Sequence, residues 1–275
     1  GLEMYERDRL DVVDITEFEA GRVRQTHAGE YRRVSQLVTV YLQFDVSRPP
    51  FDDLRVRRAF ALATSRAALV RAARPGCFPA TGGFVPPGMP GHSPEIGLRR
   101  DMERARQLLA EAGYPNGQGF PPVECCARTD QADLAQKLHA QWQENLKVTI
   151  EWRIVEWQEI LARLGEQVPH LLIMGWAADY PDPDNFLRAR IGHVRQQGGW
   201  WNEGYDRLVK RAQRSLDQEE RIGLYSEAEQ ILVEEAPILP IFHRSVRLLV
   251  KPWVTRFPTT GLREWFLKDV IIKPH

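Results

Sequence analysis

Apolar positions along the chain change rhythm several times, and each change marks an element. Leu10–Ile15 alternates Asp with apolar residues and reads as a short strand, after which Thr16–Glu30 reads as a helix. Val34–Phe44 (VSQLVTVYLQF) is rich in β-branched and aromatic residues, which suit a pleated, half-buried surface. Arg48-Pro49-Pro50-Phe51 stops that strand. Asp52 and Asp53 then precede a helical apolar pattern at Leu54, Phe60, Leu62, Ala63, Leu69 and Val70. Carboxylates placed there accept the orphan amides of a helix start, so the pattern predicts a helix over 53–73. Residues 74–100 hold six prolines and six glycines, and predict a long irregular loop.

A helix over 101–112 follows, closed by Gly113 and Pro115. From there strands and helices alternate: strand 123–128, helix 131–146, strand 148–155, helix 156–166, strand 170–176. That alternation predicts a mainly parallel sheet covered by helices. Beyond a loop over 177–202 come two helices, 203–216 and 218–235, the second opened by Asp217 with Glu220 three residues on. Ile238–Val250 gives one or two strands, and the mixed tail ends in a strand-like stretch at 270–272. No internal repeat stands out.

At 275 residues the chain has room for one large domain or two ordinary ones, with a sizeable core. Lys+Arg and Asp+Glu balance at 37 each, which argues against a dedicated nucleic-acid surface. Six of those cations are Lys, an Arg bias read as coding preference rather than phosphate binding. Cys77, Cys125 and Cys126 form neither a disulfide framework nor a zinc pattern. No apolar run reaches the ~20 residues that span a bilayer. The start at Gly1, with no charged-then-apolar leader, predicts an excised or processed piece. Phosphate-cradling loops, a G-x-S-x-G elbow and His pairs at i, i+4 are all missing from the sequence, so no enzyme, metal or cofactor is expected.

The most informative segment is Met174-Gly-Trp-Ala-Ala-Asp-Tyr-Pro-Asp-Pro-Asp-Asn-Phe186, directly after an apolar strand. In open α/β sheets ligands sit beyond the carboxyl ends of strands. There Trp176 and Tyr180 would offer flat, stiff surface and Asp179 a negative charge for a cationic head. The competing reading packs Trp176 in the core of an ordinary loop, and Asp182 and Asp184 are expected to make Asx turns. A calcium loop lacks its Gly and its bidentate Glu. A second cluster, Gly198-Gly-Trp-Trp-Asn-Glu-Gly-Tyr-Asp206, sets Trp200, Trp201 and Asn202 just before a helix. These either pack under the loop or wall a ligand site.

In order, several stretches resemble the peptide- and nickel-type solute-binding proteins of ABC importers, solute-binding protein family 5. They are YLQFDVSRPPFDDLRVRRAFALATSRAALV (41–70), FVPPGMPG (84–91), ERARQLLAEAGYPNG (103–117), GWAADYPDPDNF (175–186), YDRLVKRAQ (205–213) and QEERIGLYSEAEQILVEEAPILPIF (218–242). The resemblance covers most of residues 40–252. It implies the carboxy-terminal portion of a periplasmic-binding-protein-like α/β fold (type II, cluster C), with a mixed, mainly parallel sheet flanked by helices and fragments of a second lobe. The implied division is 1–44 as a partner-lobe fragment, 45–250 as a complete ligand-binding lobe and 251–275 as a return to the partner lobe.

The resemblance also implies a function. The chain would belong to the substrate-binding component of an ABC importer, which carries a peptide or small cationic solute to permease subunits. It would be periplasmic or extracytoplasmic, lipid-anchored in some members, and monomeric. In peptide-binding members the Asp of Gly-Trp-x-x-Asp meets the ligand's amino terminus, which falls here on Asp179, with Trp176 lining the pocket. Tyr180, Trp200, Trp201 and Asn202 complete the expected set. Some oligopeptide-binding relatives carry an Arg in the strand before Gly-Trp, whereas this one reads Leu171, Leu172, Ile173, Met174. That departure speaks against long peptides, and no His cluster supports the nickel branch. Two other classes stay open: a ligand-sensing module of a transcriptional regulator, and a hydrolase.

Overall fold

The computed structural model describes residues 1–73, 77–80, 82–166, 168–188, 199–258, 261–262 and 267–275. Pro75, His193 and Gly198 lie outside the described residues.

Two long strands run through the molecule. β2 (Tyr31–Phe44) and β7 (Ile238–Val250) pair antiparallel in a seven-stranded sheet of order β1-β7-β2-β6-β4-β5, with β3 (Phe78–Pro79) also on β7. β1 is Val12–Asp14, β4 Cys125–Arg128, β5 Trp152–Val155 and β6 Leu171–Ala177. Side chains alternate across the sheet. Val40, Leu42, Phe44, Leu171 and Ile173 face a core built with α3 (Leu54–Ala63), α5 (Met102–Glu111) and α6 (Ala132–Leu146). Tyr41, Leu172 and Met174 face a second core closed by α9 (Glu203–Ala212) and α10 (Gln218–Glu235). The α/β lobe is the one expected.

The balance of strand pairing differs from expectation. Among the described residues parallel pairing is confined to β4 with β5 and β6, while β1·β7, β2·β6, β2·β7 and β3·β7 are antiparallel. The helix–strand alternation over 123–177 does build a parallel trio, joined through α6 and α7 (Trp157–Glu166). The other half of the sheet comes from strands outside that run.

Helix starts follow their caps. Asp53 Oδ1 accepts the Arg55 amide at 2.7 Å, and Asp217 Oδ1 accepts the amides of Glu219 and Glu220 at 2.8 and 3.0 Å. Gly113 closes α5 with φ +97°, a conformation glycine adopts without a Cβ clash. The single helix expected over 53–73 is instead two, α3 and α4 (Arg66–Ala73). Thr64 is extended (φ −91°, ψ 119°), its hydroxyl donates to Phe60 O at 2.7 Å, and the Trp142 indole donates to that hydroxyl at 2.9 Å. A side chain that bonds back to its own helix competes with the next turn.

The hydrophobic clusters change along β2 and β7. Val34 packs with Leu248, Val250 and Val254 in a small satellite cluster, whereas Val40 belongs to the large core. Leu249 joins Tyr5 of α1 (Leu2–Glu6), Val23 of α2 (Glu17–Thr26) and Ile15 between β1 and α2. The change of core therefore falls inside β2 and β7, where the register shifts between Ser35↔Ser245 and Thr39↔His243.

Candidate functional site

β4, β5 and β6 run parallel, so their carboxyl ends, Arg128, Val155 and Ala177, share one edge of the sheet. β6 gives way to a loop at that edge, where the Ala178 amide donates to Leu37 O at 2.8 Å. Asn185, 1% exposed, organises this loop. Its Oδ1 accepts the Trp176 indole N–H at 2.9 Å and the Asp179 amide at 3.2 Å, while its Nδ2 donates to Asp179 Oδ2 at 3.1 Å. One side chain thus fixes both the half-buried ring and the carboxylate. Asp179 itself is exposed, and among the described residues no cation pairs with it. A carboxylate held in place by a neutral amide keeps its negative charge available to an incoming group.

The rest of the loop is tied down. Asp182 takes a bidentate pair from Arg221 at 2.6 and 2.7 Å and accepts the Asp184 amide at 2.9 Å. Burial pushes the Asp182 carboxyl up, but the Arg221 and amide hydrogen bonds outweigh it and hold it below its ordinary value. Asp184 accepts from Tyr225 at 2.6 Å, Gln213 at 3.2 Å and Tyr180 at 2.9 Å, and pairs with Arg188 at 2.9 Å. These bonds fasten the helical run at residues 183–188 (α8) to α9 and α10. The expected Asx turn is present at Asp182. Tyr180, half-buried, spends its hydroxyl on Asp184 and belongs to this scaffold as much as to the open edge.

The tryptophan cluster lies elsewhere. Trp200 is 3% exposed, its indole donates to Glu235 Oε2 at 2.6 Å, and its ring meets Tyr205 edge-on with centroids 5.2 Å apart. Asn202 caps α9 by accepting the Tyr205 amide at 2.9 Å and donates to Glu235 Oε1 at 2.6 Å. Asp182 is held by Arg221 near the start of α10, and Trp200 by Glu235 at its end. Those fourteen residues of helix span about 21 Å. Trp200 and Asn202 are thereby tied to the carboxyl end of α10, the end away from the Arg221–Asp182 pair. Trp201 is 60% exposed beside them. The reason is local: a buried indole needs an acceptor, and the only carboxylate that Trp200 bonds among the described residues is at the carboxyl end of α10.

No group of three or more His, Cys, Asp or Glu among the described residues is arranged to hold a metal. No helix among them is long and apolar enough to cross a membrane.

A loop with this carboxylate and ring, standing beyond the carboxyl edge of a mixed sheet, matches a known family. The model of bacterial extracellular solute-binding proteins, family 5 (middle), covers residues 2–196. The chain belongs to this family. It is 30% identical, over 98% of its length, to the probable deoxycholate-binding periplasmic protein YgiS of Escherichia coli K12, of which it covers 53%. It is 27% identical, over 92% of its length, to the dipeptide-binding protein of the same organism, of which it covers 49%. The unliganded open form of the periplasmic murein tripeptide-binding protein MppA shares the fold, with a TM-score of 0.85 at 24% identity over 100% of this chain and 55% of that one. The chain spans about half the length of the curated relatives it matches.

Two features of this family 5 chain are not legible in its sequence. Asn185 sits inside the Gly-Trp motif stretch, but an Asn beside Asp and Pro reads as a turn residue, and its burial is what reveals its role. The same sheet edge also carries an exposed Trp157, with the Arg128 guanidinium 5.8 Å from its ring centroid. Arg128 closes β4 and Trp157 opens α7, so two sequence-distant residues meet where the parallel strands end.

Proposed function

We propose that this chain supplies one jaw of the substrate-binding component of an ABC importer, and that it receives a dipeptide or similar small cationic solute for delivery to permease subunits outside the cytoplasm. The observation that carries the reading is Asp179: exposed, oriented by Asn185, and without a cationic partner among the described residues. Trp176 lies beside it and gives a flat surface for an apolar side chain. Trp157 and Arg128 extend the same edge. An ammonium group closed over by an opposing lobe would complete a desolvated charge pair, and losing one partner of such a pair costs about 2–5 kcal/mol. An anionic solute would set its charge against Asp179, which favours a cation over a bile-acid-like ligand.

The test is calorimetry on the protein with its opposing lobe in place. Asp179→Asn should weaken a free-amine dipeptide at least tenfold, about 1.4 kcal/mol. Unchanged affinity would remove Asp179 from the site.

A further inference from the structure

A cavity lies on the opposite face of the sheet from the Asp179 loop. It holds about 380 Å³ between the α3–α4 junction and residues 94–100, and its walls include Ser65, Arg66, Pro94, Leu98 and Arg100. Trp176 packs against the core formed with α10, whereas Leu98 packs against the core formed with α3, α5 and α6. The two sites are therefore separated by the sheet.

Arg66 is the unusual group here. It is 9% exposed, and its guanidinium donates to Pro240 O at 2.7 Å and Leu98 O at 2.8 Å. Among the described residues it pairs with no carboxylate, and burial alone draws its pKa down to about 10. A buried guanidinium without a counter-charge is costly unless an anion meets it. The nearby carboxylate, Glu95, is taken by Arg99. Arg100 stands exposed at the rim and has no ion-pair partner among the described residues. The lining thus carries three Arg against one Glu. Leu98, Pro94 and Ala67 give it an apolar part. The volume falls in the range of small-molecule sites, about 300–1,000 Å³.

We propose that this cavity is a ligand site distinct from the Asp179 edge, which takes a small organic anion with its phosphate or carboxylate on Arg66 and Arg100 and its apolar remainder against Leu98 and Pro94. The phosphate and carboxylate arms are separated by the probes themselves.

The test is a calorimetric titration of the protein with phenyl phosphate, benzoate and inorganic phosphate. One of the two aryl anions should bind with a Kd below ~1 mM, and inorganic phosphate at least threefold more weakly. Arg66→Met should weaken that binding tenfold or more, Arg100→Gln about threefold, and Asp179→Asn should leave it unchanged. If Arg66→Met does not fold, the exposed Arg100→Gln decides. Three results would overturn the proposal: no aryl anion binding below ~10 mM, binding that neither Arg variant alters, or inorganic phosphate binding as tightly as the aryl anions. Because Asp179→Asn is silent here, failure of this site and failure of the importer reading give different results.

Discussion

Asn185 uses both ends of its amide on one loop, so removing it strands the Trp176 indole N–H and frees Asp179 together. Asn185→Ala should cost about 1–3 kcal/mol of stability, read from the urea midpoint. It should also weaken the amine ligand although Asn185 does not touch it. A stability loss with full affinity would make the residue merely structural. Glu229, 1% exposed, accepts the amides of Phe84 and Val85 at 2.5 and 2.6 Å. Burial raises its pKa to about 7, and the two amides offset part of the rise. A carboxyl raised above its unfolded value favours folding in its protonated form, fully below about pH 4.5, and loses that contribution as pH rises through about 7. Glu229→Gln keeps the acceptor without the charge. It should raise the melting temperature at pH 8, by no more than about 3 kcal/mol in stability, and change little at pH 4. An equal shift at both pH values would contradict this account of Glu229. Neither role could be read from residue type, since both depend on burial produced by sequence-distant packing.

The secondary elements show what periodicity reports and what it leaves open. Caps at Asp53, Asp217 and Gly113 were legible because each is a local, short-range event. The break at Thr64 was not, because it depends on Trp142 arriving from α6. Strand partners were harder still: β2 pairs with β7 some two hundred residues later, so the antiparallel half of the sheet left no local mark. The tryptophan pair was hard to place for a related reason, since sequence set it on a loop without saying which end of α10 that loop meets. Trp200→Phe tests whether this ring belongs to the scaffold or to the site. It should cost about 1.5–3 kcal/mol through the lost hydrogen bond to the Glu235 carboxylate, while ligand affinity holds. A tenfold affinity loss would return Trp200 to the site.

β2 and β7 link the large cores to the satellite clusters, and the transition is held by the carboxy-terminal segment. At the register shift the Leu37 amide donates to Gly261 O at 2.6 Å. A Cβ on Gly261 would lie 2.6 Å from Ser35 O, so glycine is required by close approach of two backbones. Gly261→Ala should push this segment away and lower thermal stability by about 1–3 kcal/mol; an unchanged melting curve would show that the crossing does not rely on it. The Asp179 edge lies just beyond this crossing: Ala177 pairs with Val38, and Ala178 bonds Leu37. The central claim is that this edge offers a negative charge to an ammonium group. Its most direct measurement is calorimetric comparison, in the two-lobed protein, of Ala-Phe with N-acetyl-Ala-Phe, for wild type and Asp179→Asn. The account predicts that acetylation and the substitution each weaken binding tenfold or more, and that together they cost little beyond either alone. Equal binding of the free and acetylated peptides to the wild type would contradict it.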